Sequence, residues 1–299
     1  MEPKDTLDRL YVLYKGEYLE SDPVCLVHRF QARLDVEISA LLAALFAFGR
    51  ADMIIKSVEK ILEAMEMRPF EYISGSPEKK IISDFTEFQY RFVKGADLAA
   101  LLIALKITMQ RDKGIGSLLR SFGKIDVEAR PFSRAGNHPL KEKRVWRLCL
   151  FLREILFERG LAAAKRHKLK ITRGFSHLLA DPAKSSACKR WFLLFRWMVR
   201  KDEIDFGLWE FIKPGELLMP VDTHIARIGF LIGLTTCKGT GAAMVKEITE
   251  NLGKIDPLDP LKYDFALTRL GILKECPRKR VEKLCGKCAI KGICALYRA

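Results

Sequence analysis

Apolar residues return at three- and four-residue steps along most of this chain. Leu41, Leu42, Leu45 and Phe46, followed by Ile54, Ile55, Val58, Ile61 and Leu62, keep that rhythm, which is the spacing of one buried helical face. The same pattern predicts helices over Leu98–Met109, Trp146–Phe157, Cys188–Val199, Thr223–Leu234 and Ala242–Leu252. Runs that alternate apolar and polar residues are scarce, and β-branched residues do not gather in short bounded segments, so the fold class expected is all-α. The breaks fall at Ser74-Gly75-Ser76-Pro77, Gly114-Ile115-Gly116, Gly136-Asn137-His138-Pro139 and Asp256-Pro257-Leu258-Asp259-Pro260, residue clusters that form turns rather than linkers. No internal repeat or low-complexity tract interrupts them, which favours a packed helical body over a solenoid.

With 299 residues, the chain is long enough for one large core or two interleaved ones. Its 52 Lys and Arg against 37 Asp and Glu leave a formal charge of +15, an excess that points to a polyanionic partner. The longest apolar run, Ala40 to Gly49, is about half of what a membrane-spanning helix requires. The N-terminus carries charges early and has no apolar signal core, which places the protein in the cytoplasm. Basic residues concentrate between Lys141 and Lys201 and again in the tail, where Lys274, Arg278, Lys279, Arg280, Lys283, Lys287 and Lys291 stand beside few glutamates. These are the candidate phosphate-facing stretches.

Within that tail, Cys276, Cys285, Cys288 and Cys294 are spaced C-x8-C-x2-C-x5-C. In a reducing compartment such clustered thiols mark a metal site rather than disulfides. Structural zinc sites usually show two short Cys hooks, and here only Cys285 and Cys288 form one. One hook with two more distant cysteines suits a [4Fe-4S] cluster better, with zinc as the alternative. The remaining Cys25, Cys149, Cys188 and Cys237 are scattered through apolar contexts and read as core or boundary residues.

Upstream, Pro220-Val221-Asp222-Thr223-His224-Ile225 precedes a helix whose apolar residues are Ile225, Ile228 and Ile232. Asp222 is placed to cap that helix, and capping alone is a complete reason for an Asp there. This helix start, followed by the four-cysteine loop, nonetheless resembles the helix-hairpin-helix DNA glycosylases of the endonuclease III type. Leu267 to Cys276, and Ala40–Phe48 before Arg50-Ala51-Asp52, are similar to further segments of that family. A closer resemblance, carried by Cys188–Arg200, Asp205–Trp209 and Asp259–Ala266, is to an uncharacterised bacterial family related to these enzymes.

The resemblance implies two lobes. One is a helical barrel over 36–209, including a degenerate hairpin near 180–200; the other joins 1–35 to 210–299 with the cluster loop 276–294. Double-stranded DNA would lie between them, bound by a monomer in the nucleoid without membrane attachment. Asp222 would stabilise the cationic sugar that forms as a base departs, and help to activate the nucleophile. Bifunctional members also use a lysine, for which Lys189 is the candidate; its alternative role is a phosphate contact. Lys189, Arg196 and Arg200 fall on one side of their helix by spacing, opposite Trp191, Leu194, Phe195 and Met198. Arg50, Lys184, Arg190, Arg196, Arg200, Arg278, Lys279 and Arg280 are the expected DNA contacts.

Departures from the family pattern are specific. The Leu-Pro-Gly-Val-Gly hairpin is replaced by Ala180-Asp181-Pro182-Ala183-Lys184-Ser185-Ser186, and the interval from Lys189 to Asp222 is lengthened by an insertion over Asp202–Leu218. Gly49 stands where relatives place a polar residue that fills the gap left by the flipped base. The function expected is that of a base-excision glycosylase, with a non-catalytic DNA-binding or scaffold protein of the same fold as the alternative.

Overall fold

The computed structural model describes residues 2–14, 16–124 and 136–298. They are predominantly helical, as the periodicity predicts. In chain order the helices are α1 (Pro3–Leu13), α2 (Arg33–Leu45), α3 (Ala51–Ala64), α4 (Pro69–Gly75), α5 (Glu78–Asp84), α6 (Gly95–Asp112), α7 (Ile115–Lys124) and α8 (Arg144–His167). They continue as α9 (Arg173–Leu178), α10 (Lys189–Val199), α11 (Thr223–Leu231), α12 (Ala242–Ile255), α13 (Asp264–Ile272), α14 (Glu282–Cys285) and α15 (Ala295–Arg298). A two-residue hairpin that the periodicity does not predict, β1 (Gln89–Tyr90) and β2 (Val93–Lys94), pairs antiparallel ahead of α6. Among the described residues no helix is long and apolar enough to cross a membrane.

Contacts divide the chain into two compact units. One comprises 1–20, 137–145 and 184–299; the other comprises 21–136 and 146–183. This division differs from a boundary at Trp209: α10 and the residues up to Trp209 group with the segment that carries Asp222. Ion pairs hold α10 there: Arg196 meets Asp205 and Asp264, and Arg200, just past the helix, meets Asp259.

The unit made of 21–136 and 146–183 is built around α2 and α6. Residues Ile38 to Leu45 and Leu98 to Leu105 are buried without interruption, the pattern of a helix enclosed on all sides. Two carboxylates inside it are used as caps. Glu37, fully buried, accepts bonds from the backbone N–H groups of Ile115 at 2.7 Å and Gly116 at 3.2 Å, which satisfies donors that the first turn of α7 would leave open. Asp97 accepts from Lys94 N at 2.9 Å, Thr172 N at 2.6 Å and the Thr172 hydroxyl at 2.7 Å, tying the start of α6 to the start of α9. Of the two glycines expected to break the chain at 114–116, only Gly114 does so. It takes φ +121°, a conformation that favours glycine, whereas Gly116 lies inside α7.

In the unit containing 184–299, α1, α11, α12 and α13 pack together around Tyr263, which is fully buried. The Tyr263 hydroxyl donates to Asp8 at 2.8 Å, and Lys262 pairs with Asp8 at 2.9 Å and Asp256 at 2.7 Å. These bonds anchor the N-terminal helix on the short turn that leads into α13.

Candidate functional site

Asp222 caps α11 as its sequence position predicts. Its Oδ1 accepts from the backbone N–H groups of His224 at 2.8 Å and Ile225 at 2.9 Å, an arrangement worth about 1 kcal/mol to a helix. The second oxygen remains for another partner, and Lys189 supplies it: Nζ lies 3.1 Å from Asp222 Oδ2. Lys189 stands at the first position of α10, so two helix N-termini bring the pair together from residues 33 positions apart. The Asp222 side chain is 15% exposed and that of Lys189 33%, which leaves the pair reachable from solvent at the lysine.

Burial pushes the Asp222 carboxyl up. The Lys189 charge, the Ile225 N–H and the Lys189 hydrogen bond outweigh it, so the net shift is below the ordinary carboxylate value. Asp222 is therefore a carboxylate at neutral pH.

What sets the position of Asp222 is a close approach between α11 and α13. A Cβ on Gly271 would stand 2.2 Å from His224 Nδ1 and 2.7 Å from His224 Cβ. Because the clash includes the stem of the side chain, rotation of the imidazole alone does not relieve it. Gly271→Ala is expected to cost about 1–3 kcal/mol, the range of an overpacked core, and to displace the first turn of α11. A denaturant melt with an unchanged midpoint would show that the helices absorb the methyl without moving.

The four tail cysteines are brought to one place. Cys276, Cys285, Cys288 and Cys294 line a single small cavity with Glu275, Ile290 and Tyr297. Arg227 of α11 donates from Nη1 to Cys276 Sγ at 3.1 Å and to the Pro277 carbonyl at 3.1 Å, and Val281 N–H points to Cys285 Sγ at 3.5 Å. Tyr14, just after α1, donates to Glu275 at the rim of the same cavity. Burial pushes the Cys276 and Cys288 thiols up; Arg227 pulls Cys276 back, and the neighbouring thiols raise both further. Among the described residues, no three His, Cys, Asp or Glu side chains converge closely enough to hold a single metal ion.

Six of the eight candidate DNA contacts fall into three groups. Arg278, Lys279 and Arg280 are exposed on the cysteine loop, with Arg280 bonded to Glu282 at 3.0 Å. Lys184 is exposed; Arg190 is half-buried, and loss of solvent lowers its guanidinium to about 10. Arg50, in the other unit, is exposed and doubly bonded to Asp52 at 2.8 and 3.1 Å.

Arg196 and Arg200 require correction. Both are buried, at 3% and 4% exposure, because α10 is enclosed on every side from Trp191 to Val199 rather than on one face. Arg196 donates to Asp205 at 3.2 Å and to Asp264. Arg200 makes a two-pronged pair with Asp259 at 2.8 and 2.9 Å and also meets Asp202 at 3.0 Å and Asp205. Neither can reach a phosphate. The insertion that carries Asp202 and Asp205 is thus an internal counter-charge for α10.

The connection expected to hold a hairpin runs for ten residues, from Leu179 to Cys188, between α9 and α10. Asp181 Oδ1 caps its own turn by accepting from Ala183 N at 3.0 Å, and the Ser185 carbonyl accepts from Ala242 N at 3.2 Å at the start of α12.

In this predominantly helical protein Lys189 and Asp222 meet from two helix starts, and the tail loop gathers four thiols around one cavity. The sequence profile described as "Protein of unknown function (DUF2400)" matches residues 22–273, and the chain belongs to that family. The match includes Lys189 and Asp222 and ends three residues before Cys276. No curated protein and no solved structure matches the chain.

Proposed function

We propose that the protein is a DNA glycosylase of the base-excision type, acting on a damaged or mismatched base flipped out of duplex DNA, with AP lyase activity through Lys189. The observation that carries this reading is the 3.1 Å contact between Lys189 Nζ and Asp222 Oδ2. Cleavage of an N-glycosidic bond builds positive charge on the sugar, and a fixed carboxylate at that point lowers the barrier. Asp222 is held in its charged form by two backbone N–H groups and by Lys189. When Lys189 gives a proton to Asp222, its amine lone pair is free to attack the sugar carbon, and the bond to the base breaks with its electrons leaving on the base. The nucleotide must be flipped out of the duplex for either group to reach its sugar.

Cys276, Cys285, Cys288 and Cys294 would hold a [4Fe-4S] cluster. Their fit rests on four thiols around one cavity, with hydrogen bonds to two of the sulfurs. In such a cluster each iron takes one thiolate, so the sulfurs stand apart, whereas a single zinc draws four sulfurs to about 2.3 Å. When bound, the cluster would tie the basic loop to α11 through Arg227; the reaction itself is assigned to Lys189 and Asp222.

Borohydride trapping on duplexes carrying an abasic site or a panel of lesions tests the reading. Wild-type protein is expected to form a covalent DNA adduct that Lys189→Ala does not form. Base release without any trapped species would reassign the attack to water. Activity on no lesion, with duplex binding unchanged by substitution of Asp222, would instead favour the non-catalytic DNA-binding reading. Iron and zinc analysis of the same preparation decides the metal: about four irons per chain is the expected result.

A further inference from the structure

Helix α11 has two faces. Ile225 and Ile228 are buried in the core, while Thr223, Arg227 and Phe230 follow one another at steps of four and three, the spacing of a single helical face. That second face is open, with Phe230 53% exposed. Across from it runs the connection into α12, and between the two lies a cavity of about 410 Å³ whose lining includes Thr223, Arg227, Phe230, Lys238, Thr240 and Met244. All of these residues belong to the unit that contains 184–299. Bonds outside the cavity fix both walls. Glu247 of α12 accepts from the Thr235 hydroxyl at 2.7 Å, from Thr236 N and the Thr236 hydroxyl at 3.0 Å each, and from the Cys237 thiol at 3.1 Å, which pins the turn that leads into Lys238. On the other wall, Arg227 is oriented by one nitrogen alone, Nη1, which donates to Cys276 Sγ and to the Pro277 carbonyl.

The cavity is therefore left with donors and nothing to receive them. Among the described residues, Nε and Nη2 of Arg227, the Lys238 ammonium and the hydroxyls of Thr223 and Thr240 make no hydrogen bond or ion pair, and no carboxylate lines the walls. Two cations and two hydroxyls without a counter-charge suit an oxyanion, because a bond from a guanidinium or ammonium to phosphate is about twice as strong as a neutral one. Position on α11 narrows its source. Arg227 is five residues past Asp222, about 7 Å along a helix, and phosphates recur about every 3.4 Å along one strand of a duplex.

We propose that this cavity is a phosphate site, which holds the backbone phosphate about two nucleotides from the one placed at Asp222. Arg227 and Lys238 meet its charge, and Thr223 and Thr240 donate to its oxygens. This inference rests on DNA as the substrate of the Lys189–Asp222 site. Lys238 is the residue to change, because it is exposed and its removal breaks no bond among the described residues. Lys246, exposed on α12 but outside the cavity lining, supplies the control for charge alone.

The experiment measures the Kd for an abasic-site duplex, and its salt dependence, with wild-type protein, Lys238→Ala and Lys246→Ala. It is repeated on duplexes in which single phosphates are replaced, one at a time, by neutral methylphosphonate. Lys238→Ala is expected to weaken binding about tenfold at low salt, the scale of one hydrogen bond to a charged group, and to lower the salt slope by about one counterion. Lys246→Ala is expected to stay close to the wild-type affinity. One methylphosphonate, about two nucleotides from the abasic site, should weaken wild-type binding by the same factor and cost Lys238→Ala nothing further. Wild-type affinity and slope in Lys238→Ala overturn the phosphate site. So does a loss that Lys246→Ala reproduces, or one that persists whichever phosphate is neutralised. In each of those cases borohydride trapping of the abasic duplex by wild-type protein leaves the glycosylase reading intact, whereas wild-type protein that neither binds nor traps the duplex overturns both.

Discussion

Asp222→Asn is expected to reduce base excision by at least about a hundredfold, the scale of losing one preorganised electrostatic contact to a developing charge. The substitution is informative because Asn caps helices nearly as well as Asp. The bonds to His224 N and Ile225 N can be kept through the amide oxygen, so α11 stays in place while the charge disappears. On the proposed glycosylase reading, what is lost is the counter-charge for the sugar and the acceptor for the Lys189 proton.

The pH dependence of the wild-type protein should carry the mark of the same carboxylate. Because the folded-state value of Asp222 lies below the ordinary 3.8, the group is ionised throughout the range above about pH 4. Its contribution to stability is present above the unfolded value and lost only as pH falls through the lower folded value. An acid limb in excision due to Asp222 is accordingly expected below pH 4. A limb near pH 6 would assign the critical ionisation to another group, and an Asp222→Asn protein with near wild-type turnover would remove Asp222 from the chemistry.

How much of this was legible in the sequence depended on the range of the interaction involved. The cap at Asp222 is local: an acceptor just ahead of a periodic apolar run, satisfied within three residues. The helices were legible for the same reason, because α3, α6 and α12 repeat their apolar residues within one or two turns. The cysteine loop could be read from spacing, since all four thiols fall within nineteen positions. The pairing of Lys189 with Asp222 was only suggested by resemblance, because it spans 33 positions across an insertion and depends on how α10 and α11 are set.

The failures were long-range as well. Helical spacing placed Arg196 and Arg200 on a charged face, and a charged face is normally a solvated one. Nothing local reveals that acids at 202, 205, 259 and 264 return to cover it. A signal was present, however: Asp205–Trp209 and Asp259–Ala266 are the segments that carry the closer family resemblance, and in the structure they supply the partners of those arginines. The hairpin of β1 and β2 is not legible in the sequence, because two-residue strands carry no periodicity. Arg227 is illegible for a different reason, since a thiol partner 49 positions away leaves no trace in the pattern around it.

The buried network carries the second large expectation. Arg196→Ala removes a guanidinium from between Asp205 and Asp264, whose side chains are no more than 3% exposed. Asp205 keeps Arg200, but Asp264 loses its counter-charge in a site closed to water. Breaking such a pair from one side costs about 3–5 kcal/mol, against a total stability of about 5–15 kcal/mol for an ordinary domain. The variant should therefore lose a large part of its stability in a urea melt. Removing the charge on both sides is a different matter, because an apolar replacement of similar volume escapes the desolvation penalty. Arg196→Met combined with Asp264→Leu is expected to recover most of the loss, and that recovery separates an uncompensated charge from a simple cavity. The sequence-based assignment of Arg196 to DNA makes the opposite forecast: stability unchanged, duplex affinity reduced, and the salt dependence of binding lowered by about one counterion. A melt and a salt titration on Arg196→Ala thus distinguish an internal ion pair from a phosphate contact, and a stability loss under about 1 kcal/mol would count against the buried network.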